Sequence, residues 1–168
     1  MFNKYYLILT ILMGLLISGC DNSSKNNQDE TKEVITTADA EGSSDLKLIM
    51  IDMLNLREDG ERMVYSQDVV NIEVGDTVKW LPKDGGHNVE FVAGPDSFEI
   101  PPKSYINREV SIKFDIPGIY LYVCSPHSIM GMIGLIVVGD DTSNKQKIAS
   151  YDIGGKGSKK LKTLLEAF

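Results

Sequence analysis

The sequence predicts a mainly β protein, a sandwich of about eight short strands with a short helical extension at its C-terminal end. Three features predict it. Short apolar or alternating runs rich in Val, Ile, Tyr and Phe recur between residues 46 and 139. Turn signals such as Val74-Gly75-Asp76-Thr77 and Ile116-Pro117-Gly118 separate those runs. After Asp140 the period changes, and Leu161, Leu164, Leu165 and Phe168 fall on one helical stripe.

The chain has 168 residues, enough for one domain with a modest core. Met1-Phe2-Asn3-Lys4 leads into an apolar run from Leu7 to Ile17, too short to span a bilayer comfortably and suited to the apolar part of a secretory signal. The run ends in Ile17-Ser18-Gly19-Cys20, which resembles a bacterial lipobox. Residues 1–19 are therefore expected to be a lipoprotein signal peptide, with Cys20 lipidated and anchored to a membrane. An uncleaved anchor or an ordinary signal peptide is the alternative. Residues 20–45 are polar and hold seven acidic residues against two lysines. Such a composition does not bury enough apolar surface to offset the entropy of ordering, so it reads as a disordered tether.

From Leu46 onward the balance is 17 acidic to 14 basic residues, with no basic patch of the kind nucleic acid requires. Leu46–Leu54 reads as a first strand, followed by a charged turn over Leu56–Gly60. Short strands are expected at Met63–Tyr65, Val69–Val74 and Val78–Leu81, the last pointing Trp80 into the core. His87 is expected to open the next strand after a loop over Pro82–Gly86. A Pro-containing loop spans Gly94–Ser104. Alternation of Val110, Ile112 and Phe114 with Ser111, Lys113 and Asp115 marks a half-buried strand. Ile119–Val123 and Ile133–Val138 complete the sandwich, which occupies residues 46–139. In the extension, residues 140–168, Ser158 is expected to cap a helix, Thr142–Ser150 to form a shorter one, and the apolar stripe to pack on the sandwich.

Chemistry concentrates between Cys124 and Met132, in Cys-Ser-Pro-His-Ser-Ile-Met-Gly-Met. A second His, His87, lies in Gly-Gly-His-Asn-Val, and the chain has only these two histidines. A thiolate, two imidazoles and a thioether form the ligand set of a blue-copper centre. Thiolate and thioether suit Cu(I), imidazole suits both oxidation states, and such a compromise site needs little rearrangement when an electron arrives or leaves. Pro126 stiffens the loop by fixing φ, while Gly131 and Gly134 are expected to permit tight turns. A Cys20–Cys124 disulfide and a structural zinc site are the alternatives, although Met is a poor ligand for zinc.

Segments Met53-Leu54-Asn55, Gly86-His87-Asn88-Val89-Glu90, Cys124-Ser125-Pro126-His127 and Met130-Gly131-Met132 resemble the pseudoazurins, periplasmic cupredoxins with a Greek-key β-sandwich. The Cys-x2-His-x4-Met spacing also fits plastocyanins; the extension after Asp140 points to pseudoazurins. The resemblance implies one Cu(I)/Cu(II) ion per chain, held strongly by His87, Cys124 and His127 and weakly by Met132, with Met130 on the apolar surface. It implies supporting roles for Asn55, Asn88, Met63 and Pro126, Asn88 bracing the ligand loops and Met63 packing near a ligand imidazole. Two features depart from the family. The chain carries a lipobox, and residues 46–139 hold 13 acidic residues against eight basic ones. Lys79, Lys83, Lys103 and Lys113 are the lysines that could still cluster into a docking patch.

The expectation is a periplasm-facing, membrane-tethered, monomeric electron shuttle rather than an enzyme. Electrons would pass through the edge of His127, among Pro126, Ile129 and Met130. Partners would be redox proteins docking transiently, a copper nitrite reductase or a c-type cytochrome or oxidase. A copper carrier or copper-stress lipoprotein is the alternative. Copper oxidases and nitrite reductases need histidines for a second copper, and none remains.

Overall fold

The computed structural model describes residues 45–168. The expected signal peptide, Cys20 and nearly all of the tether lie outside the described residues. Eight strands form two four-stranded sheets. The strands are β1 (Leu48–Leu56), β2 (Arg62–Tyr65), β3 (Val69–Ile72), β4 (Thr77–Pro82), β5 (Glu90–Ala93), β6 (Val110–Lys113), β7 (Gly118–Val123) and β8 (Ile133–Val138). One sheet runs β2-β1-β4-β6 and the other β3-β8-β7-β5.

Alternation and continuous apolar runs have different causes here. Ile51, Met53, Val78 and Trp80 send one face of β1 and β4 into the core between the sheets. Strands β7 and β8 are buried at every position. On one face Tyr120, Tyr122, Ile136 and Val138 join that inner core. On the other, Ile119, Leu121, Val123, Ile133, Leu135 and Val137 pack beneath the C-terminal helices. A strand covered on both faces loses its polar alternation, which is why these two read as unbroken apolar runs.

The helices are α1 (Lys145–Ala149) and α2 (Gly155–Leu165). Ile148, Leu161 and Leu165 supply the buried stripe against the second sheet. Ser158 does not occupy the expected cap position, because α2 begins at Gly155 with Gly154 at the N-cap. Its hydroxyl instead reaches back one turn, accepting from the N–H groups of Gly154 at 2.8 Å and Ile153 at 3.1 Å. The first strand starts two residues later than expected. His87 lies in the loop before β5 rather than on the strand.

Parallel pairing of β1 with β4 sets Met53 opposite Pro82, so Asn55 and the loop after Pro82 emerge at the same pole. Cys124 follows β7 and Met132 precedes β8. Their backbones are joined there, Cys124 N–H donating to the Met132 carbonyl at 2.9 Å. The fold thereby brings segments distant in sequence to one end of the sandwich.

Candidate metal centre

Three ligand atoms converge at that pole. The Nδ1 atoms of His87 and His127 stand 3.2 Å apart. Cys124 Sγ is 3.7 Å from the first and 3.5 Å from the second. Cys124 and His87 are fully buried, while His127 is only partly so. The point equidistant from the three atoms lies about 2.0 Å from each, close to the metal–nitrogen and metal–thiolate bond lengths of a first-row dication. The triangle therefore fits a single ion, and its thiolate and imidazoles suit copper.

Surrounding groups fix how each ligand is presented. His87 Nε2 faces Asn55 Oδ1 at 3.0 Å, which places the ring proton on Nε2 and leaves Nδ1 free to ligate. Asn55 is itself held, its N–H donating to Asp84 Oδ2 at 2.6 Å. Burial pushes the pKa of His87 down and the charge of His127 lowers it further, against a smaller opposing effect of Asp84. The neutral, metal-binding imidazole is thus favoured. Burial pushes the Cys124 thiol up, whereas the N–H groups of Asn88 and His127 favour the thiolate.

Asn88 ties the two ligand segments together. Its Oδ1 accepts from Ser125 N–H at 2.8 Å, and its Nδ2 donates to Ser125 Oγ at 2.9 Å and to the Ser104 carbonyl at 3.2 Å. Its own carbonyl accepts from the buried Tyr65 hydroxyl at 2.8 Å. Ser125 Oγ donates onward to Glu90 Oε2 at 2.6 Å.

The ligand loop closes through a single 3-10 turn, Ser128–Met130, which ends on Gly131 in the left-handed region at φ 104°. Gly134 has another purpose. It lies within β8 opposite Tyr122, where a Cβ would strike the tyrosine ring and hydroxyl. Helix α2 packs on the same loop. A Cβ on Gly157 would stand 2.5 Å from the Ser128 carbonyl oxygen, so only glycine admits the contact.

The remaining expected site residues divide by location. Met132 is fully buried in the same core cluster as Cys124, and Met63 packs against that cluster with φ 51°. Pro126 is exposed, as are Ile129 (62%) and Met130 (49%). Two of the four lysines do not contribute free charge, Lys79 pairing with Glu109 at 2.7 Å and Lys113 with Asp115 at 2.5 Å. Sequence reasoning missed Asp84, Ser104, Asn107 and Ser125, whose roles depend on contacts made across the fold.

A β-sandwich that gathers one thiolate and two imidazoles at one pole is a cupredoxin. Residues 51–139 match the family of copper binding proteins described as the plastocyanin/azurin family, and the chain belongs to it. It is similar to the pseudoazurin of Methylorubrum extorquens, at 37% identity over 118 residues that cover 69% of this chain and 78% of that one. The pseudoazurin of Paracoccus pantotrophus is 39% identical over 99 residues, covering 56% of this chain and 65% of the relative. Among solved structures, the pseudoazurin from Methylobacterium extorquens AM1 superposes with a TM-score of 0.66 at 36% identity, covering 71% of this chain and 98% of that one. Pseudoazurin from Hyphomicrobium denitrificans gives 0.67 at 32% identity, covering 72% and 98%.

Proposed function

We propose that this protein carries single electrons between redox proteins, using copper that His87, Cys124 and His127 would hold strongly and Met132 weakly. One observation carries the reading: of the three converging ligands, two are sealed in the core and the third, His127, reaches the surface. Bound copper supplies a one-electron Cu(II)/Cu(I) couple. The chain supplies the rest. Asn55 and Asn88 hold the ligands in place, so little reorganises between oxidation states. Exposed Pro126, Ile129 and Met130, within three residues of His127 in the chain, offer an apolar surface suited to brief docking.

The cellular setting proposed is the periplasmic side of a bacterial membrane, with Cys20 lipidated and residues 21–45 as a tether. The lipobox-like Ile17-Ser18-Gly19-Cys20 supports it. A c-type cytochrome or a copper nitrite reductase is the proposed kind of partner, engaged by the monomer.

The oxidised, copper-loaded protein should show an intense thiolate-to-Cu(II) charge-transfer band in the visible, lost in Cys124→Ala. A colourless protein that still binds copper tightly would replace the shuttle with the copper carrier. Lipid labelling of the expressed chain, lost in Cys20→Ser, tests the anchor.

A further inference from the structure

The loop between β5 and β6 carries an exposed tip beside the copper ligands. Ser104 N–H donates to the Val89 carbonyl at 2.9 Å, and Ser104 Oγ accepts from Val89 N–H at 2.9 Å. Three residues on, Asn107 N–H donates to the His87 carbonyl at 2.8 Å, and Asn107 Oδ1 accepts from Gly86 N–H at 2.7 Å. Both ends of the tip are therefore fastened to the segment that bears His87. Asn107 adopts φ 61°, a left-handed conformation that asparagine tolerates better than most residues.

Between these fastenings the chain turns two large side chains outward, Tyr105 at 85% exposure and Ile106 at 45%. They bury little in the free protein, so their packing does not account for the loop. A tyrosine held on a fastened backbone loses little freedom when it docks and is a frequent energetic anchor of interfaces. Gly86 connects this tip to the copper face, since a Cβ there would stand 3.8 Å from the His127 ring. Lys103 and Arg108 bracket the tip, exposed and without an ion-pair partner among the described residues.

We propose that Tyr105 and Ile106 form a second docking limb beside the copper ligands, for a redox protein whose face pairs an apolar socket with a rim of carboxylates. This rests on the electron-transfer reading above. A second anchoring point near the ligands restricts how a partner can rotate, and the bracketing cations select the acidic rim.

Stopped-flow oxidation of the reduced, copper-loaded full chain tests it with two oxidants. Ferricyanide is small enough to meet the His127 edge without docking, and a small acidic c-type cytochrome serves as the protein probe. Tyr105→Ser with Ile106→Ser should slow the cytochrome reaction by about five- to thirty-fold, the effect of losing an anchor of 1–2 kcal/mol. The ferricyanide rate and the visible spectrum should stay as in the parent protein. Lys103→Glu with Arg108→Glu should slow the cytochrome reaction at low salt and converge with the parent at high salt. An unchanged cytochrome rate in the Tyr105/Ile106 variant overturns the limb, as does an equal loss with ferricyanide, which would mean a damaged copper site. A parent protein that reduces ferricyanide but not the cytochrome also overturns the limb alone. One that reduces neither takes the electron-transfer reading down with it.

Discussion

The two histidines present the same ring nitrogen to the same point, yet stand in opposite surroundings. His87 is fully buried, braced at Nε2 by Asn55 and held at its carbonyl by Asn107. His127 is partly exposed and rides on a single 3-10 turn, its carbonyl accepting from Met130 and Met132 N–H at 3.0 and 3.2 Å. The contrast teaches that one imidazole serves chiefly to hold the ion and the other to connect it to the outside. A centre with both rings buried would be stable and isolated; with both exposed it would lose the dry environment that orients its ligands.

Removing each ring should break the symmetry most visibly. His127→Gly opens a gap to solvent, and added imidazole should restore the visible band. His87→Gly leaves a gap walled by protein, so the same imidazole should restore little. Equal rescue of both would erase the distinction. Copper titration of Asn55→Ala comes next, with affinity expected to fall about 10- to 100-fold because His87 loses its orienting partner.

Met130→Lys acts on the exposed side only. Electron transfer to a protein oxidant should slow about five- to thirty-fold while the spectrum stays unchanged. A shifted spectrum would mean that Met130 touches the metal instead of the partner. Gly157→Val probes the support beneath His127, because its side chain must displace Ser128 from α2. Thermal or denaturant unfolding should report about 1–3 kcal/mol of destabilisation. A neutral result would detach the C-terminal extension from the ligand loop.

Much of this was legible in residues alone, for reasons that differ by element. Cys124, His127 and Met132 lie within nine residues, and the loop joining two antiparallel strands brings the first two together. His87 was legible because no other His exists to complete the pair. Strand β8 coincides with its apolar run, Ile133–Val138, since burial on both faces leaves no ambiguity of period. The bracing of His87 was less legible. Asn55 lies 32 residues away, and only the parallel register of β1 and β4 brings it to the ring. Ser158 misled because Ser is a preferred cap, yet the helix begins at glycines that make no side-chain contact of their own. Gly134 misled in the same way: a glycine near a loop suggests a turn, but here it makes room for Tyr122 across a strand pair.

One copper ion is expected among His87, Cys124 and His127. A crystal structure of the copper-loaded protein, with anomalous differences recorded at the copper edge, tests it most directly. One strong peak is expected, bounded by the two Nδ1 atoms and Cys124 Sγ, with Met132 sulfur at a longer distance. A peak elsewhere, or copper bound without the Cys124 sulfur, would contradict it.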